Sequence, residues 1–290
     1  MTTVAFIGLG NMGSGMADNL VKANFDVLAF DLSDVAMQMA KDNGCRLATS
    51  ASDAVSQAEV VVTMLPAGKH VDMVYHNDVL PHAKSGTVLV DCSTIDVATS
   101  KKVANSALGQ GFEMVDAPVS GGTKAAAEGT LTFMVGGSIA GFEKAQGVLQ
   151  AMGRKIVHAG EHGAGQAAKI CNNMLLGATM VATCETFQLA QKLGLDPQVF
   201  FDISSNASGQ NWSMTSYCPV KGVGPQSPAD SDYTGGFASP LMLKDLTLAM
   251  MSAKDVDADV PMGEKAQELY EKWCEGEGST MDFSSIIKML

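Results

Sequence analysis

Val4-Ala-Phe-Ile-Gly-Leu-Gly-Asn-Met-Gly13 is the stretch whose reading decides the fold. The run Val4–Ile7 has strand composition, and Gly8-Leu9-Gly10-Asn11-Met12-Gly13 follows it with the spacing G-x-G-x-x-G. A helical stretch, Met12–Lys22, comes next. The second strand-like run, Val27–Phe30, then ends at Asp31, 23 residues after Gly8. A lone glycine triplet is weak evidence. Strand, glycine turn, helix and a second strand ending in an acid together form the dinucleotide-binding fingerprint. Gly8 permits the tight turn, Gly10 lets a pyrophosphate approach the backbone, and Gly13 lets the helix pack close to the sheet. Leu9, Asn11 and Met12 complete the turn, whose helix N-terminus offers free N–H groups and a positive dipole. Asp31 would accept hydrogen bonds from the ribose hydroxyls and repel a 2′-phosphate. No arginine follows it at once, so the expected cofactor is NAD rather than NADP.

Outward from this turn the first half keeps the same rhythm. Strand-like runs recur at Val60–Met64, Val88–Val90, Glu113–Val115, Thr132–Val135 and Lys155–Val157, with helical stretches such as Val35–Asp42 and Val97–Leu108 between them. Strands alternating with helices imply βαβ units. The runs lack polar alternation, as strands covered on both faces do. The expected fold is therefore α/β: an N-terminal Rossmann-type doubly wound sheet over residues 1–162, followed by an all-helical C-terminal domain. From Gly163 to Leu193 there is neither proline nor strand signal. A helix of about 30 residues reaches roughly 45 Å, long for one small domain, so residues 163–193 read as an interdomain helix and 194–290 as a substrate and oligomerisation domain. The stretch from Ala207 to Gly236 is rich in Gly, Ser, Pro and Asp and longer than ordinary connections, which makes it functional or flexible.

Composition removes whole classes. The chain has 290 residues, 46% of them apolar and 17% charged, which excludes a disordered chain. Its 19 Lys+Arg against 31 Asp+Glu give a formal charge of −12, a poor match to phosphate backbones, so no nucleic-acid partner is expected. No run is long and apolar enough for a membrane span, and no basic or Arg/Ser-rich leader precedes Val4, so a cytoplasmic, bacterial location is expected. The 6 cysteines are scattered, without C-x-x-C spacing or clustered histidines, and read as small buried hydrophobes. No metal is expected.

Three segments carry candidate chemistry. Leu65-Pro66 and Thr94 fall just after strands, where open α/β sheets bind ligands; Thr94 serves equally well as a helix cap before Ile95–Leu108. Ser120-Gly121-Gly122-Thr123 offers hydroxyls and successive backbone N–H groups with little bulk, suited to a small carboxylate, or it is a bare turn. Lys169 is the one charged residue between His162 and Glu185, and Asn173 at i+4 shares its helix face. A lysine removed from water has a lowered pKa and can exchange a proton near neutrality. The alternative is a lysine that snorkels at a domain boundary.

Four ordered motifs, Phe6-Ile-Gly-Leu-Gly-Asn-Met-Gly13, Asp116-Ala-Pro-Val-Ser-Gly-Gly122, Gly163-Ala-Gly-Gln-Ala-Ala-Lys-Ile-Cys-Asn-Asn173 and Gly236-Phe-Ala-Ser-Pro-Leu-Met-Leu-Lys-Asp245, resemble the β-hydroxyacid dehydrogenase family over nearly the whole chain. Ser208-Gly-Gln-Asn-Trp-Ser213 and Asp232-Tyr-Thr-Gly-Gly-Phe237 are similar to its 3-hydroxyisobutyrate branch. The resemblance implies a homodimer or homotetramer that oxidises a small 3-hydroxy acid, 3-hydroxyisobutyrate, to methylmalonate semialdehyde, a step of valine catabolism. It implies Lys169 as the general acid/base, with Asn173 in support. Ser120, Gly121, Gly122 and Thr123 would hold the carboxylate. Leu65, Pro66, Thr94, Phe237 and Lys244 would touch NAD. Trp212 would wall the substrate's methyl group, or anchor the long loop instead. His70 follows the Leu-Pro pair, where many relatives carry another polar residue, and gets no role. Tartronate semialdehyde reductase, serine dehydrogenase and 3-hydroxypropionate dehydrogenase are alternatives within the family. A non-catalytic dinucleotide sensor is the alternative outside it, but such a protein has no need of Lys169 with Asn173.

Overall fold

A computed structural model describes all 290 residues, which pack as two units, Met1–Lys169 and Ile170–Leu290. In the first unit the strands are β1 (Thr3–Ile7), β2 (Asp26–Phe30), β3 (Arg46–Leu47), β4 (Val60–Thr63), β5 (Val88–Asp91), β6 (Glu113–Asp116), β7 (Val119–Ser120), β8 (Leu131–Gly137) and β9 (Gly153–Gly160). They lie in the order β3-β2-β1-β4-β5-β6-β8-β7, with β9 also paired to β8. All pairs from β3 to β6 are parallel, while β8 runs antiparallel to β6 and β7. The chain moves outward from β1 to β3, then returns to set β4 against the other side of β1. Open parallel sheets bind ligands beyond the strand ends at such a reversal.

Helices α1 (Gly13–Lys22), α2 (Asp34–Asp42), α3 (Ala51–Val55), α4 (Gly68–Val74), α5 (Val97–Gly109), α6 (Gly122–Glu128) and α7 (Ile139–Met152) cover this sheet. Strand side chains alternate between two cores. Val4 and Phe6 pack with Met16 and Leu20 on one face; Ala5 and Ile7 pack with Tyr75 and Val103 on the other. Burial on both faces explains why β1, β4 and β5 read as continuous apolar runs. Several helix starts are set by short polar side chains: Ser33 accepts from Ala36 N–H, Ser50 from Asp53 N–H and Ser138 from Gly141 N–H.

Helix α8 (Ala164–Lys192) is unbroken for 29 residues and carries the division between the units at Lys169. The second unit continues with α9 (Pro197–Ser204), α10 (Trp212–Thr215), α11 (Ser239–Asp255) and α12 (Pro261–Cys274). Its core joins Met180 and Cys184 of α8 to Met242, Leu246, Tyr270, Trp273, Phe283 and Ile286. At Gly177 a β-carbon would press on Leu246 and Met242, so glycine there lets α11 approach α8 closely. The long stretch from Ala207 to Gly236 is built rather than loose. It holds α10, capped by Asn211, and a 3-10 turn, Pro228–Ser231, whose capping box is closed by Ser227 and Asp230.

Candidate active site

The glycine turn lies at the sheet's reversal point. Gly8 has φ +97°, a conformation that side chains oppose, and a β-carbon there would collide with the carbonyl oxygen of Met64 at the end of β4. At Gly13 a β-carbon would run into the carbonyl of Gly8 itself. Gly10 differs: nothing lies within 4 Å of where its β-carbon would be. Two glycines thus close the turn, while the third leaves an open approach to its backbone, as a pyrophosphate needs. Asp31 stands beside it. Its Oδ2 accepts from Leu9 N–H at 2.6 Å and its Oδ1 from Ser33 N–H at 2.8 Å. The backbone thereby aims a negative charge at the turn, and the remaining lone pairs are available for ribose hydroxyls. This cradle fits NAD.

Beyond the neighbouring strands a buried polar network gathers several residues that sequence reasoning left out. Asp91 Oδ1 accepts from Thr63 Oγ1 at 2.8 Å and from Ser93 Oγ at 2.6 Å. Ser93 Oγ in turn accepts from Leu65 N–H at 2.8 Å. The Leu65-Pro66 turn and the Ser93-Thr94 turn are thereby tied together. Burial pushes the Asp91 carboxyl up to about 6 against the lowering effect of these donors. Thr94 is not a cap. Asp96 caps α5 by accepting from Thr99 N–H at 2.7 Å, so Thr94 does not serve that purpose.

The start of α8 is held by the same strand ends. Asp116, at the end of β6, accepts from Gly163 N–H at 2.7 Å and from Gln166 N–H at 2.9 Å. At Gly165 a β-carbon would meet the Met134 and Asp116 carbonyl oxygens. Gly163 and Gly165 therefore serve close packing of the helix start. Lys169 follows within the next turn and is only 8% exposed, which is incompatible with a snorkelling surface lysine. Ser120, Gly121, Gly122 and Thr123 form the turn into α6, with φ +133° at Gly121 and +70° at Gly122. Gly122 has open space where a side chain would stand, whereas Gly121 packs on Ala125. Asn19 fixes this region to α1 by donating to Ala126 O at 2.7 Å. His70 leaves its Nδ1 buried without a partner.

In the second unit Asn173 is buried and donates from Nδ2 to Asp245 Oδ2 at 2.5 Å. Lys244 Nζ lies 3.5 Å from Asp245 Oδ1. Asp245 is thus a residue that motif reading passed over although it stood beside Lys244. Trp212 is 51% exposed and stacks on Tyr217 with 5.0 Å between ring centres. One face of the indole is therefore packed and the other open. Phe237 packs edge-on to Phe283, and its N–H donates to Asp282 at 2.7 Å.

Comparison with known proteins agrees with this frame. Residues 3–160 match the model for the NAD binding domain of 6-phosphogluconate dehydrogenase. Residues 163–290 match the NAD-binding domain of NADP-dependent 3-hydroxyisobutyrate dehydrogenase. A 3-hydroxyisobutyrate dehydrogenase of Pseudomonas aeruginosa is 48% identical, covering 100% of this chain and 98% of that protein. The chain belongs to the 3-hydroxyisobutyrate dehydrogenase family. It is an NAD-binding dehydrogenase, an oxidoreductase. An NAD-dependent L-serine dehydrogenase, also of Pseudomonas aeruginosa, is 45% identical over 100% of this chain and 98% of its own length. A solved structure of Mycobacterium tuberculosis 3-hydroxyisobutyrate dehydrogenase with L-serine superposes with a TM-score of 0.96 at 45% identity, covering 100% of this chain and 99% of that one. No helix is long and apolar enough to cross a membrane.

Proposed function

We propose that the chain oxidises 3-hydroxyisobutyrate to methylmalonate semialdehyde, with Lys169 as the general base. The observation that carries this reading is the near-complete burial of Lys169 one turn after a helix start that strand-end residues hold. A buried lysine without a chemical task is a costly feature. Bound NAD supplies the acceptor for the hydride that leaves the alcohol carbon. As that carbon becomes a carbonyl, its hydroxyl proton must depart, and neutral Lys169 takes it. In the opposite direction the ammonium form polarises the carbonyl and returns the proton. The turn Ser120–Thr123 would receive the substrate carboxylate on its N–H groups and hydroxyls, so that binding far from the reacting carbon orients it. Asn173, at i+4 on the same helix, would support the lysine or the substrate hydroxyl.

Gly8, Leu9, Gly10, Asn11, Met12, Gly13, Leu65, Pro66, Thr94, Phe237 and Lys244 are assigned to NAD, with Asp31 on the ribose hydroxyls. Trp212 is assigned to the substrate's methyl group; its open ring face supports this, and its stacking on Tyr217 supports the anchoring role as well. Leu175, Ala182 and Leu189 recur every seven residues on an exposed face of α8. Cover by a second copy would explain them, which supports a homo-oligomer. Bacterial relatives support a cytoplasmic bacterial enzyme acting in valine catabolism.

L-Serine is the second reading, favoured by the 45% identity to a serine dehydrogenase. The deciding experiment follows NADH formation from 3-hydroxyisobutyrate, L-serine, 3-hydroxypropionate and glycerate. We expect kcat/KM for 3-hydroxyisobutyrate to lead by at least about tenfold, the scale of one well-placed apolar contact. A higher value for L-serine would replace the substrate, and Lys169→Met with wild-type turnover would remove the base.

A further inference from the structure

We propose that Gln166 is a positioning residue for Lys169, its side-chain amide locking the strand-end turn around Thr94 to the helix turn that precedes the lysine. This rests on the reading of Lys169 as the general base. Gln166 is fully buried. Its Nε2 donates to Ser93 O at 2.7 Å, and its Oε1 accepts from Ile95 N–H at 3.1 Å. These two peptide groups flank Thr94. The amide therefore grips the backbone on both sides of that residue, as a neighbouring β-strand would. Its own backbone N–H goes to Asp116 at 2.9 Å. Gln166 is in this way fixed to the end of β5 by its side chain and to the end of β6 by its main chain.

Lys169 lies three residues further along the same helix, close to one full turn. Rotation or sliding of the helix start relative to the Ser93–Ile95 turn displaces the lysine by a similar amount. Misplacement of a reacting group by about 1 Å costs on the order of 10²-fold in rate. The residue type is also decided by the geometry. At this length an amide donates and accepts at once through two neighbouring atoms, whatever the pH. An ionised Glu would face the Ser93 carbonyl with a second acceptor. A protonated Glu has one O–H and one C=O and would restore both bonds. Methionine has the same length and neither function.

The test uses the full chain with NAD and the hydroxy acid found to be the best substrate. Activity of wild type, Gln166→Met, Gln166→Glu and Lys169→Met is followed from about pH 5.5 to 8.5, together with thermal melts and NAD affinity. We expect Gln166→Met to lose at least about tenfold in kcat at saturating NAD, the measured NAD affinity setting the concentration needed, since the same turn carries Thr94. For Gln166→Glu, activity relative to wild type should rise at least about tenfold as pH falls, because a buried carboxyl takes up its proton well above the ordinary range of about 4.3. Asp116, Asp91, His162 and Lys101 surround this helix start and Lys169 lies one turn on. A carboxylate at position 166 couples to them, so the Gln166→Met profile, which adds no charge, is the second reference for the ratio. A residue that merely stabilised the fold would lower the melting temperature and leave that ratio flat. A flat ratio, or wild-type kcat in Gln166→Met, overturns the proposal. If Gln166→Met does not fold, the pH ratio of Gln166→Glu decides alone. Turnover retained by Lys169→Met would overturn the reading of the lysine instead, so the two failures are distinguishable.

Discussion

Asp116 and Gln166 are 50 residues apart in sequence, yet the carboxylate of the first accepts the backbone N–H of the second at 2.9 Å. With Gly163 N–H on its other oxygen, Asp116 caps α8 from outside the helix. Burial raises its pKa against these two donors. Asparagine cannot replace it, because an amide nitrogen would meet an N–H donor. Asp116→Asn should therefore lose about 1–2 kcal/mol of stability, the range for a lost cap. It should also lower kcat more than it raises KM, since the cap holds the turn that leads to Lys169. Denaturant unfolding and steady-state kinetics check both; unchanged unfolding would remove Asp116 as the cap.

The glycine turn predicts a contrast between two of its members. Gly10→Val meets open space, so the variant should fold with wild-type melting and lose most of its NAD affinity by blocking the approach to the backbone. Gly13→Val drives its β-carbon into Gly8 O, so it should fail to fold or melt far lower whether NAD is present or not. Thermal melts with and without NAD separate them. Equal melting of the two variants would contradict the division of labour.

Asp91 makes stability depend on pH. Its folded pKa of about 6 lies above the ordinary 3.8, so the folded state holds a proton that the unfolded state releases. The stabilisation is full below the unfolded value and is lost as pH rises through about 6. Asp91→Asn mimics the protonated side chain and keeps an oxygen for Thr63 and Ser93. The melting temperature of the variant minus that of wild type should therefore increase between about pH 5 and pH 8. A melting difference that stays the same at both pH values would show that this carboxyl does not titrate in the folded protein.

The contrast between Gly10 and Gly13 also marks how far the sequence could be read. Local spacing carried the glycine turn, Asp31 and the apolar runs of β1, β4 and β5, because burial on both faces writes itself into consecutive residues. The strands Arg46–Leu47 and Val119–Ser120 are too short to leave a period. The antiparallel placement of β8 depends on pairing, not on its own residues. Gln166 sat in an alanine-rich helical run with no sign of its role, since its partner Ser93 is 73 residues away. Asn19 and Ala126, 107 apart, are the same case. Thr94 is the cap that residue type suggests, and only the bond from Thr99 N–H moves the cap to Asp96, two residues on.

Asp282 bears on the long loop in the same non-local way. Its Oδ2 accepts from Tyr217 OH at 2.8 Å and Phe237 N–H at 2.7 Å. Its Oδ1 accepts from Ser284 N–H at 2.9 Å and Ser284 Oγ at 2.6 Å. All four partners are donors, and the indole of Trp212 lies stacked on that same Tyr217. Asp282→Asn must turn its amide nitrogen toward one pair of them, where the hydroxyl can accept from it but the backbone N–H, of Phe237 or Ser284, loses its acceptor. The expected loss is about 1–3 kcal/mol, the cost of one buried donor left without a partner. Release of Tyr217 and Phe237 should also free Trp212, while Trp273, 7% exposed and bonded to Ser285, stays protected. Acrylamide quenching should accordingly grow in the variant, and Trp212→Phe in the same background should abolish the growth. If the assignment of Trp212 to the substrate's methyl group holds, KM for 3-hydroxyisobutyrate rises with it. Unchanged melting and quenching would leave Asp282 without a hold on the loop.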